Sequence, residues 1–189
     1  MKKRTFFLAL AFLAVAVAVI AIPAFRFQTD LERVSSYRIQ IEHAAKGEGL
    51  PPSLLAALVF AESRGHFDAV SSVEAFGLCQ LLPSTAAEIA ERLGLSPQAD
   101  GGWSTSDNLQ MGAHYLARVT RPYADDPEAV ALGLLCYRLG PGATARAIQD
   151  EGGAAVWLKG LRQNKQSVWP YVDQVLHMQT VFAAHWSDS

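Results

Sequence analysis

Residues 53–63 read Ser53-Leu54-Leu55-Ala56-Ala57-Leu58-Val59-Phe60-Ala61-Glu62-Ser63, and residues 77–86 read Gly77-Leu78-Cys79-Gln80-Leu81-Leu82-Pro83-Ser84-Thr85-Ala86. In the first stretch Glu62 stands four residues after Leu58 and seven after Leu55. Those offsets fall on one face of a helix, so a carboxylate closes an otherwise apolar stripe. Burying a charge without a partner is costly, and the group responds by holding its proton to higher pH. A carboxylic acid kept protonated in this way donates a proton to a leaving group. The plainer alternative has Glu62, in the last turn of its helix, pair with Arg64 or reach solvent.

Helical periodicity extends outward in both directions. Leu31, Val34, Ile41, Ala44 and Ala45 predict a first helix ended by Gly47. Pro51-Pro52-Ser53 opens the Glu62 helix, since proline is tolerated in a first turn, and Gly65 suits its C-cap. Pro83-Ser84 starts a helix that stops at Gly94. Asp107 or Asn108 caps one running through Met111, Tyr115, Leu116 and Val119. A very apolar helix follows over 129–139, then two short ones in 143–150 and 153–161, and Pro170 begins a last one reaching Phe182. No stretch alternates with period two, so the fold is read as mainly α with at most a small irregular or β segment in 66–80. The irregular stretches 66–80 and 95–106 are candidates for function, because long structureless segments in a compact domain often serve it.

The chain has 189 residues, half of them hydrophobic and 18% charged, with a formal net charge of -2. That is a globular composition, and it lacks the basic patch of a nucleic-acid binder. Lys2-Lys3-Arg4 precedes an apolar run from Phe6 to Phe25. A run of that length fits one N-terminal transmembrane helix, with the basic flank cytoplasmic and the rest exported. A cleaved signal peptide is the competing reading, with Ile22-Pro23-Ala24 as a poor cleavage site. The organisation expected is therefore 1–27 as anchor or signal segment, held in the inner membrane through residues 6–25 or cleaved, and 28–189 as one domain on the periplasmic side. Cys79 and Cys136, the two cysteines of the chain, fit either a disulfide or two buried thiols. His43, His66, His114, His177 and His185 show no metal-ligand spacing, so no metal and no cofactor are expected.

The order of motifs after Glu62 resembles the soluble lytic transglycosylase family of the lysozyme-like superfamily. Its Glu-Ser pair, later serine, Gly-Leu-x-Gln turn and Pro-x-Thr-Ala helix start appear as Glu62, Ser63, Ser71, Gly77, Leu78, Gln80, Pro83, Thr85 and Ala86. An Asn-x-x-x-Gly-x-x-Tyr-Leu segment appears as Asn108, Gly112, Tyr115 and Leu116. A Tyr-x-x-Gly-Pro-Gly segment appears at Tyr137, Gly140, Pro141 and Gly142, and a closing Tyr-Val pair at Tyr171-Val172. The likeness covers about residues 37–180. Five positions depart from the pattern: Glu74 stands for glycine, Cys79 for methionine, Arg138 for asparagine, and Ser167-Val168 for a Glu-Thr pair.

The resemblance implies a helical lysozyme-like domain that cuts peptidoglycan glycan strands between N-acetylmuramic acid and N-acetylglucosamine. It implies Glu62 as the single catalytic acid and base, with Ser71, Gln80, Tyr137 and Asn108 as substrate-binding residues and a 1,6-anhydro sugar as product. For Ser71 a loop-capping role, for Gln80 a helix-entry role, for Tyr137 a core role and for Asn108 an N-cap role are the plainer alternatives. Two other functions fit the same residues. One is a goose-type lysozyme-like hydrolase, which would use water; the other is a catalytically silent, membrane-anchored peptidoglycan-binding module, motivated by Cys79 and Arg138.

Overall fold

The structure is a computed structural model that describes residues 21–99, 101–164 and 166–187. The molecule is mainly helical, and one helix organises it. Helix α3 (Pro52–Ser63) is apolar on all sides, and residues Leu54 to Phe60 are each at most 3% exposed. A helix without a polar face has to be surrounded. α2 (Arg38–Gly47) and the long α9 (Trp169–Ser187) pack against it. Phe60 meets Phe182 of α9 edge to face at 6.2 Å, and Phe27 from the helix over 21–35 (α1) at 5.7 Å. α4 (Pro83–Leu93), α5 (Thr105–Thr120) and α6 (Ala129–Leu139) form the other wall, with α7 (Pro141–Asp150) and α8 (Ala154–Gln163) behind α6. A short 3-10 turn, Arg121–Tyr123, links α5 to α6.

Several boundaries differ from those read in the sequence. The expected first helix is two helices, interrupted at Ser36-Tyr37. There Ser36 Oγ donates to Arg33 O at 2.7 Å, and Tyr37 N turns to Val34 O. The hydroxyl competes with the helical ladder for a carbonyl, while Leu31, Val34, Ile41, Ala44 and Ala45 all still reach the core. α3 ends at Arg64, which itself adopts the left-handed conformation (φ 54°), and Gly65 follows with φ 77°. α5 starts at a Ser104 cap, not at Asp107 or Asn108. Asp107 N donates to Ser104 Oγ at 3.1 Å and Ser104 N donates to the Asp107 carboxylate at 3.2 Å, a reciprocal capping box. α9 begins one residue before Pro170 and runs past Phe182 to Ser187.

The 66–82 loop holds antiparallel bridges between Val70 and Phe76 and between Phe76 and Leu81, and among the described residues it forms no sheet. Cys79 and Cys136 are both buried free thiols. Most of the apolar run over 6–25 lies outside the described residues. Residues 21–35 are helical, with Ile22, Phe25 and Phe27 exposed, and among the described residues no helix is long and apolar enough to cross a membrane.

Candidate active site

The last turn of α3 delivers Glu62 to the bottom of a cleft. The helix is sealed in the core on every side over Leu54 to Phe60, so a side chain emerges only where the helix stops. There the Glu62 side chain is 6% exposed. Tyr171, from the first turn of α9, donates its hydroxyl to Glu62 Oε1 at 2.7 Å. Arg138, from the last turn of α6, brings a guanidinium nitrogen to 3.7 Å from Oε2 and lies 5.3 Å over the Tyr171 ring. Burial raises the proton affinity of Glu62 above the ordinary carboxylate value, and the Tyr171 hydrogen bond and the Arg138 charge partly oppose it. Arg64, the neighbour that the sequence offered as a partner, is turned away and stacks 4.3 Å over Phe60.

The loop facing Glu62 is tied down from three sides. Ser63 Oγ, one residue after the acid, donates to Leu78 O at 2.9 Å. Asn108 of α5, itself buried, accepts from Cys79 N at 2.9 Å and donates to Phe76 O at 3.3 Å. Tyr137 of α6 donates to Cys79 O at 2.7 Å. Gly77 sits in the middle with φ 75°, and a Cβ there would lie 2.5 Å from the Asn108 amide. Glycine is therefore required both by conformation and by space. Gln80, at φ 46°, donates from Nε2 to Ala69 O and Gly77 O at 3.0 Å each.

These ties shape a cleft of two adjoining pockets. The first, about 150 Å³, is lined by Glu62, Val73, Ala75, Gln80, Leu82, Tyr137 and Arg138. The second, about 180 Å³, shares Gln80, Leu82, Tyr137 and Arg138 and continues to Thr85, Tyr115 and Gly140. Among the described lining residues Glu62 is the one carboxylate. Tyr137 and Tyr171 are held well above the ordinary phenol range, foremost by burial, so both act as neutral donors. Glu62, Gln80 and Tyr137 thus meet around one space. Ser71 and Asn108 do not line it: Ser71 Oγ accepts from Val73 N and Ala75 N at 3.3 and 3.1 Å, and the Asn108 amide is spent on the loop backbone. Glu74 is exposed on that loop.

Tyr171 and Arg138 are the two site residues that the sequence did not assign. Tyr171 belonged to a recognised block but carried no role, being 109 positions from the carboxylate it touches. Arg138 stood out as a departure from the family pattern one residue after Tyr137, but carried no role at the acid.

The profile of the transglycosylase SLT domain family matches residues 39–159. Among solved structures the chain is similar to an inactive glutamate-to-glutamine mutant of the lytic transglycosylase Slt from Pseudomonas aeruginosa. The TM-score is 0.66 at 26% identity, over 80% of this chain and 24% of that one. It is similar in fold to the 70 kDa soluble lytic transglycosylase from Escherichia coli, with a TM-score of 0.61 at 22% identity, over 76% of this chain and 23% of that one. The chain spans about a quarter of the length of these relatives.

Proposed function

The chain belongs to the transglycosylase SLT domain family, and from that premise we propose that it is a lytic transglycosylase that cleaves peptidoglycan glycan strands with Glu62 as acid and base. The observation that carries the reading is the largely buried Glu62 side chain at the floor of a cleft. Two-carboxylate glycosidases need a second acidic group for a nucleophile or a water. Here the described cleft lining offers Glu62 alone, which suits a substrate that supplies its own nucleophile.

The steps follow from the two carboxyl oxygens. Tyr171 occupies Oε1, so the transferable proton resides on Oε2. Oε2 protonates the oxygen linking C1 of N-acetylmuramic acid to N-acetylglucosamine, and the C1–O bond breaks. The sugar's N-acetyl group supports the positive charge left at C1. The C6 hydroxyl of the same muramic residue then closes on C1 and gives its proton back to Oε2. The product is a 1,6-anhydro sugar, no water is consumed, and Glu62 is again an acid. Tyr171 stabilises the carboxylate between the two transfers. Gln80 and Tyr137 border the bound sugar, while Ser71 and Asn108 act one step back by holding the 71–79 loop. The site of action is the cell envelope. The basic cluster at 2–4 and the apolar run over 6–25 support a domain on the periplasmic side of the inner membrane, anchored there or released.

Incubation with purified peptidoglycan, followed by mass spectrometry of the products, tests this. The native protein is expected to release anhydro-muropeptides and Glu62→Gln none. Hydrated products would assign a hydrolase, and an active Glu62→Gln would remove the single-acid mechanism.

A further inference from the structure

Arg138 is left without a task by the reaction above. It extends from the end of α6 with its side chain 54% exposed, beside the Glu62 side chain, which is 6% exposed. It borders both halves of the cleft. Its 3.7 Å approach to Glu62 Oε2 is a contact between charges, longer than a hydrogen bond. In the proton-donating state Glu62 is neutral, and among the described residues that line the cleft no other carboxylate then faces the guanidinium. A planar fork of N–H donors on a partly desolvated wall matches a carboxylate.

Resting on the reading of this cleft as a peptidoglycan site, we propose that Arg138 binds a carboxylate carried by the muramic residue. Two sources supply that chemistry: the lactyl carboxylate of a strand stripped of its peptides, and the carboxylates of a stem peptide. Seating the anion has a second effect. The groups that act electrostatically with Glu62 are Tyr171 from α9, Arg138 and Tyr137 from α6, and Cys79 from the loop. Of these Arg138 is the cation, and its charge works against protonation of Glu62. A carboxylate on Arg138 offsets that charge, so an anionic strand favours the proton-holding form of the acid that will cut it.

Binding is measured on the full chain in detergent, in the Glu62→Gln background to prevent turnover, with and without Arg138→Gln. The probes are glycan strands bearing stem peptides, strands stripped by an amidase, and both after carbodiimide amidation of their carboxylates. Arg138→Gln is expected to raise Kd about five- to tenfold on carboxylate-bearing strands, the range for a half-exposed charged hydrogen bond. Amidation should abolish that difference. A larger effect on stripped strands assigns the lactyl carboxylate, and a larger effect on peptide-bearing strands assigns the stem. Equal Kd values on charged strands overturn the proposal, as does a loss that persists after amidation. Failure of the underlying reading looks different: native protein would release no anhydro product, while the charge-dependent binding difference would remain and keep Arg138 as a carboxylate receptor.

Discussion

Replacing Tyr171 with phenylalanine removes one oxygen and the 2.7 Å hydrogen bond it donates to Glu62 Oε1. The ring stays, so the packing of α9 against α3 is preserved. Glu62 begins the reaction neutral and becomes charged as its proton leaves, so the phenol stabilises the transition state more than the resting acid. A hydrogen bond to a charged group is worth about 1.5–3 kcal/mol net, and about 1.36 kcal/mol corresponds to a factor of ten in rate. With the Glu62 side chain 6% exposed, solvent is poorly placed to replace the lost donor. The expected loss is therefore about ten- to a hundredfold in kcat, with KM little changed. The pH profile should move as well. The bond holds the proton affinity of Glu62 down; without it the acid stays protonated to higher pH, and the alkaline limb of kcat/KM shifts upward. Anhydro-muropeptide release, followed by liquid chromatography across a pH series, measures both. A Tyr171→Phe protein within about twofold of native kcat, with an unmoved alkaline limb, would refute the role assigned to this bond.

Three further outcomes follow from the same geometry. Because burial raises the Glu62 pKa in the folded state, its contribution to stability is full below the unfolded value and is lost as pH rises through the folded one. Glu62→Gln should therefore melt higher than native protein at neutral pH, with the gap closing as pH falls toward the ordinary value of 4.5; a gap independent of pH contradicts this. Asn108→Ala leaves Cys79 N and Phe76 O without their partners, and a loss of about 2–4 kcal/mol is expected in urea unfolding. A change under about 1 kcal/mol would show that the loop does not depend on that amide. The Cys79 thiol is fully buried and its pKa is pushed up, first by burial and then by the charge of Glu62. It should resist iodoacetamide in the native protein and react in urea, as read by mass; labelling at the same rate in both states would place it at the surface.

What the sequence made legible is local. Leu55, Leu58 and Glu62 lie within two helical turns, so their shared face follows from spacing alone. Gly77 and Gln80 were found as a motif, but the reason for the glycine, the Asn108 amide against its Cα, is a contact across 31 positions. Asn108 itself shows the limit of residue type. A buried asparagine that braces a loop and one that contacts a ligand have the same one-dimensional signature. The Ser104 cap was legible in principle, since Asp107 three residues later completes a capping box, yet Asp107 and Asn108 are equally good cap types and drew the boundary inward. Tyr171 lies beyond the matched stretch 39–159, and nothing near Trp169-Pro170-Tyr171 indicates contact with a carboxylate at the end of α3.

The meeting of Tyr171 with Glu62 also sets an order of events for a chain synthesised from its amino end. The carboxyl emerges early, yet its phenol arrives only when α9 comes through and docks along α3. Until then Glu62 lacks the hydroxyl that bonds its Oε1, and α3 lacks the helix packed along it. On the proposed mechanism, a chain clipped ahead of α9 would keep Glu62 but lose the hydroxyl that steadies its charged form, so a helix beyond the matched stretch 39–159 would be needed for full activity.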